Sequence, residues 1–169
     1  MKPKPTAMIV LLTGFSILGA TSGLFAAEGP AGEHTGEAAG FTGKLLPVFF
    51  VRDVSTSVEF YRDVLGFELR HFFDYSEGKQ VEEWTREEPP IWALMAAGTQ
   101  TFALHRAADP SALVVGGMRH YFLVDDVDRH FERVRAAGGQ VGPLTDKPWM
   151  KLFSIRDPDG HEIFFGKEK

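Results

Sequence analysis

Phe49–Leu69 (FFVRDVSTSVEFYRDVLGFEL) returns in degenerate form at Phe122–Val141 (FLVDDVDRHFERVRAAGGQV). Val51 falls on Val124, Asp53 on Asp126, Val54 on Val127, Val58 on Phe131 and Tyr61 on Val134. Val64 then meets Ala137 and Gly66 meets Gly139, always at an offset of 73 residues and without a gap. An internal repeat of this length limits the chain to architectures built from two copies of one supersecondary unit.

Both copies carry the same instructions. A β-branched and aromatic run (Val48–Val51; Tyr121–Val124) predicts a strand. Asp53 and Asp126 follow as helix caps, since a carboxylate can accept from the free N–H groups of a first turn. Apolar residues then recur at helical spacing, as Val54, Val58, Tyr61, Val64, Leu65 and as Val127, Phe131, Val134, Ala137. Gly66 and the pair Gly138-Gly139 supply the left-handed residue that stops a helix. Two β-α-β units of one period imply two modules related by a pseudo-twofold axis.

The remaining elements follow by pattern. We expect strand Leu46–Val51, helix Ser55–Leu65, and strands Phe67–Phe73, Ile91–Ala97 and Gln100–Arg106 in the first module. The second is expected to give strand Arg119–Val124, helix Val127–Ala137, and strands Gln140–Leu144, Met150–Arg156 and Glu162–Gly166. Asp157-Pro158-Asp159-Gly160 reads as a tight turn, because Pro presets one dihedral and Gly supplies a positive one. Asp74–Pro90 has no counterpart in the second module and reads as an inserted loop.

Met1–Ala27 has the layout of a secretory signal peptide: Lys2 and Lys4, an apolar core over Ala7–Ala20, then small residues up to a cut after Ala27. The core is shorter than the roughly 20 residues a membrane span needs. Export to a periplasmic or secreted location is the expectation. Residues 28–43, rich in Gly, Ala and Glu, read as a flexible linker that carries a solvated His34. The domain is expected over 44–169, with module one at 44–110 and module two at 117–169. Its apolar content is that of a globular chain, 44% of the whole sequence.

Several function classes are excluded by what is missing. There is no cysteine, hence no disulfide, thiol nucleophile or thiolate metal site. Removal of Lys2 and Lys4 with the leader, and of no acid, takes the net charge from −5 to −7. Such a balance argues against nucleic acid, or an anionic membrane for the mature form, as a partner. No G-x-S-x-G elbow and no phosphate-cradling glycine loop is present.

The β-α-β-β-β repeat, the phrase DVSTSVEFYRDVLGFEL and the later FSIRDPDGHEIFF resemble the vicinal oxygen chelate (VOC) superfamily. That group includes glyoxalase I, extradiol dioxygenases and the fosfomycin and bleomycin resistance proteins. The resemblance runs from about Leu45 to Lys167. It implies an α+β fold of paired βαβββ modules around a shared cavity, and a homodimer. Activity is not implied, because one fold hosts several chemistries.

In the metal-dependent members of that superfamily the ligands come from the first and last strands of each module. Those positions fall here at Leu46, Arg119, Ala103 and Phe164. None offers an imidazole or carboxylate, which a divalent ion needs at about 2 Å. Strand alternation adds His105 and Glu162 to the same face as Ala103 and Phe164. It turns His120, with Phe122 and Val124, toward the helices, while His71, His130 and His161 are expected on exposed strand, helix and turn positions. A register slip of one residue would bring His120 in and offer His105, His120 and Glu162 as a divalent metal site.

Three functions are compatible with these residues. The reading we favour is metal-free binding of a small molecule, in the manner of the bleomycin-resistance branch. Its wall would be Val48, Phe50, Thr101, Ala103, Tyr121, Leu123 and Phe164, with Arg119, His105 and Glu162 as polar points, a composition usual for ligand pockets. No catalytic residue is assigned. The alternatives are a divergent lyase, isomerase or dioxygenase with the shifted metal site, and a scaffold whose cavity is filled. Arg119 and Glu162 could also pair with one another.

Overall fold

The computed structural model describes residues 45–169. The leader expected over 1–27 and the linker expected over 28–43 lie outside the described residues. Among the described residues no helix is long and apolar enough to cross a membrane.

The first module runs β1 (Val48–Val51), α1 (Val54–Glu59) with a π turn over Phe60–Val64, β2 (Glu68–Asp74), β3 (Lys79–Val81), β4 (Trp92–Ala97) and β5 (Gln100–Arg106). The second runs β6 (His120–Leu123), α2 (Val127–Ala136), β7 (Thr145–Asp146), β8 (Met150–Arg156) and β9 (Glu162–Glu168). Strand order is β1-β5-β4-β2-β3 in one sheet and β6-β9-β8-β7 in the other. In each module the first strand lies parallel to the last, β1 to β5 and β6 to β9. This is an α+β fold of paired βαβββ modules.

The caps form as their chemistry demands. Asp53 Oδ1 accepts from the Thr56 N–H at 2.7 Å and Asp126 Oδ1 from the Arg129 N–H at 2.9 Å. The first helix does not stay α-helical to Leu65. From Phe60 it widens, so that the Leu65 N–H reaches the Phe60 carbonyl and the Phe67 N–H reaches that of Tyr61.

Two expected elements differ. Gln140–Leu144 is not a strand: Val141 makes an isolated bridge to Ile155, and pairing resumes only at β7. Pro143 has no N–H to give the ladder, which interrupts it there. The Asp74–Pro90 insertion is more than a loop, since β3 extends the first sheet beyond β2. It is fastened by the buried Asp74, whose carboxylate accepts from Ser76 and from Arg86 Nε at 2.7 Å.

One aromatic core joins the modules on the helix side of both sheets. Phe49, Tyr61, Phe67 and Phe102 meet Phe122, Phe153 and Phe165 in a single cluster. Phe67 lies 4.7 Å from Phe122, and the His120 ring meets Phe49 edge-on at 4.2 Å, both measured between ring centroids. His130, expected on an exposed helix position, is instead half-buried against Phe165, and its Nε2 is sealed off without a hydrogen bond.

Candidate functional site

The modules are related by the repeat, but the junction between them is built differently on its two sides. The β8–β9 hairpin carries Asp157, Asp159 and His161, and all three reach module one. Asp157 Oδ2 accepts from the Tyr61 hydroxyl at 3.0 Å. Asp159 takes both the Arg52 guanidinium at 2.8 Å and the Arg52 N–H at 3.1 Å. His161 Nε2 donates to the Phe50 carbonyl at 2.8 Å, since a carbonyl can only accept. Burial pushes the Asp157 carboxyl above its ordinary value, against the lowering influence of His161 and the Tyr61 hydroxyl.

The matching hairpin of module one, between β4 and β5, has the sequence Ala96-Ala97-Gly98-Thr99-Gln100. Among the described residues no side-chain hydrogen bond ties it to module two as Asp157, Asp159 and His161 tie the other hairpin to Tyr61, Arg52 and Phe50. A cleft of about 800 Å3 remains between this hairpin and β6. Phe49, Phe67, Phe102, Phe122 and Phe165 form its floor, Leu45 and Pro47 one wall, and Arg119, Tyr121 and Leu123 the other. His120 and His130 are its two imidazoles. Burial lowers both below the ordinary histidine value, His130 to about 4.

Of the residues expected to line a cavity, Tyr121, Leu123, Thr101 and Arg119 border this cleft. The others lie elsewhere. Val48 and Phe50 are 42% and 51% exposed on the outer face of the first sheet. Ala103 and His105 stand opposite them across the parallel ladder, Ala103 buried and His105 half-buried. His105 Nδ1 donates to its neighbour's carbonyl, Arg106 O, at 2.7 Å, and its ring lies 5.6 Å from Phe50. On the second sheet Tyr121 stacks on Phe164 at 4.7 Å, with the Arg119 guanidinium 5.6 Å from the same ring. Arg119 and Glu162 do not form an ion pair.

The phenylalanine floor was missed because strand alternation assigns those side chains to core packing, and His130 because its helix position read as exposed. The repeat held the missing signal. Phe49 and Phe122 are equivalent at its offset, and equivalent residues beside a pseudo-twofold axis converge on it.

A resident metal ion does not fit these residues. Leu46, Ala103, Arg119 and Phe164 have no suitable donor. His105, His120 and Glu162 do not assemble either, and among the described residues no group of three or more His, Asp or Glu side chains could hold an ion. The reason is geometric: His120 turns inward beside Phe49, while His105 and Glu162 stand on two different sheets.

Fold and cleft together define a two-module α+β protein with an aromatic junction site. The chain belongs to the Glyoxalase/Bleomycin resistance protein/Dioxygenase superfamily, whose family model matches residues 44–165. It is 29% identical to a lactoylglutathione lyase of Haemophilus influenzae over 126 residues, covering 70% of this chain and 87% of that protein. Among solved structures it is similar to TioX from Micromonospora sp. ML1, at 25% identity and a TM-score of 0.56 over 75% of this chain and all of that one. It also shares its fold with TnmS3, an antibiotic binding protein from Streptomyces sp. CB03234. There the identity is 20% and the TM-score 0.54, with 76% of this chain and 99% of that one covered.

Proposed function

We propose that this is an exported, metal-free small-molecule binding protein whose ligand enters the cleft between the β4–β5 hairpin and β6. The observation that carries the reading is the unfilled junction itself. Five phenylalanines floor a space of about 800 Å3 beside the β4–β5 hairpin, whereas the β8–β9 hairpin is tied to module one by Asp157, Asp159 and His161. Its size and apolar lining suit a drug-sized molecule, with Tyr121, His120 and Arg119 left to orient it. The export part rests on the leader-like Met1–Ala27.

We further propose that the chain works as a homodimer. Val48, Phe50, His105, Glu162 and Phe164 would then enclose ligand surface once a second copy covers the open sheet faces, with the fully buried Ala103 beneath them. Exposed aromatic faces on both sheets support this, because apolar patches of that kind mark interaction surfaces.

The test is a thermal-shift and native mass-spectrometry screen of aromatic natural products, with and without EDTA. Stoichiometric binding unaffected by the chelator, and lost in Tyr121→Ala, is the expected result. Binding that vanishes with EDTA would refute the metal-free reading. The lactoylglutathione lyase relative favours one alternative, lyase chemistry on a thiol adduct. Metal-dependent turnover of such a substrate would replace the binding function with that one.

A further inference from the structure

A second cavity, of about 590 Å3, opens beside the cleft, between the Val115–Met118 segment and the β8–β9 hairpin. Arg119 and His120 line both spaces. The charge here is unlike that of the cleft. Arg119 and Arg156 both face it, and neither takes part in an ion pair among the described residues. The nearby acids are committed elsewhere: Asp159 to Arg52, and Asp157 to the Tyr61 hydroxyl and the backbone of its own turn. Glu162 is the one carboxylate on the wall, opposite Arg156 in the β8–β9 ladder. Two guanidiniums against one carboxylate leave the cavity cationic.

The rest of the wall suits a close polar ligand. Gly116 and Gly117 both have positive φ, 129° and 75°, with open space where side chains would stand. The backbone is therefore bare at the rim, able to approach a ligand closely. His161 is held in place by its bond to the Phe50 carbonyl, and His120 by its edge contact with Phe49.

We propose that this cavity is an anion subsite, which takes the carboxylate or phosphate group of the ligand whose aromatic body occupies the cleft. The ligand class is thus an anionic arene. The guanidinium fork matches both oxyanions, and a charge-assisted bond to it is stronger than one to a neutral donor. This deepens, and in its aromatic half rests on, the cleft reading above.

Arg156 borders only the second cavity, so Arg156→Gln separates the two claims. The experiment titrates isotope-labelled protein with phenyl phosphate, inorganic phosphate and neutral benzyl alcohol, and follows amide shifts. The expected result is that phenyl phosphate and phosphate both shift Gly116, Gly117 and Gly160, while benzyl alcohol shifts Phe122 and Phe102. Phenyl phosphate should bind about tenfold more weakly to Arg156→Gln, the loss of one charged contact. Benzyl alcohol should bind it unchanged, and Glu162→Gln should raise phosphate affinity. If phenyl phosphate binds no better than benzyl alcohol and is indifferent to Arg156→Gln, the anion subsite is overturned and the cleft reading stands. If phosphate shifts the glycines but benzyl alcohol leaves the cleft untouched, the cleft reading fails and the anion subsite stands alone. Absence of both shifts overturns both.

Discussion

The Tyr61 hydroxyl donates to Asp157 Oδ2 at 3.0 Å, a bond between residues 96 positions apart that ties the first helix to the last hairpin. Both groups are buried. Tyr61 therefore belongs to the core by its ring and to the module junction by its oxygen. Burial first, then the Asp157 charge, pushes its phenol well above the usual range, so it stays a donor at any physiological pH.

Tyr61→Phe should accordingly destabilise the protein by about 1–3 kcal/mol, because it leaves a buried carboxylate oxygen without its donor. Chemical denaturation would measure this. A change within error would mean that the hydroxyl is not a junction tie.

Gly66→Ala should cost about 1–3 kcal/mol for two independent reasons. At φ 77° any side chain is strained, and the new Cβ would stand 2.6 Å from Arg133 Nη1. That guanidinium donates to the Leu65 carbonyl and so closes the end of the first helix. In the double variant with Arg133→Ala the clash is gone. Its loss should fall short of the sum of the two single losses, as expected of coupled neighbours. Strict additivity would show that the contact carries no energy.

Acid should find His130. Burial, and secondarily the Arg133 charge, lower its folded-state value to about 4 from an ordinary 6.5. The unfolded chain therefore takes up the proton first, and stability present above about 6.5 is lost as pH falls toward about 4. Asp157, raised in the fold, acts with the opposite sign, so the comparison must be between variants. Melting temperatures of His130→Gln should fall less than those of the unaltered protein across that window. Parallel profiles would remove His130 from the account.

Filling the cleft should separate binding from folding. Ala97→Phe adds to the small hairpin the bulk it lacks, beside the cleft. Thermal stability should hold or rise, while binding of any cleft ligand is lost. Retained binding would move the ligand to the outer sheet faces, around Phe50 and His105, which Phe50→Ala would then disrupt.

How much was legible beforehand depends on the range of the forces involved. Asp53, Asp126 and Gly66 act on their own turns, so their roles were readable from the residues alone. The strand Gln100–Arg106 was readable to the residue. Gln140–Leu144 was misread because alternation says nothing about whether Pro143 leaves a ladder to join. His130 was misread because its exposure depends on Phe165, 35 positions away.

The sequence by itself determined the two-module plan, because a period of 73 residues with caps and stops in register is local information written twice. Only the tertiary structure decided where a ligand could sit. That depended on two hairpins, which hold the same place in the two modules, meeting the neighbouring module with different side chains: acids and an imidazole on one side, alanine and glycine on the other. Packing across a pseudo-symmetry axis is a long-range property, and the difference between a filled junction and an open one appears only when both modules are folded together.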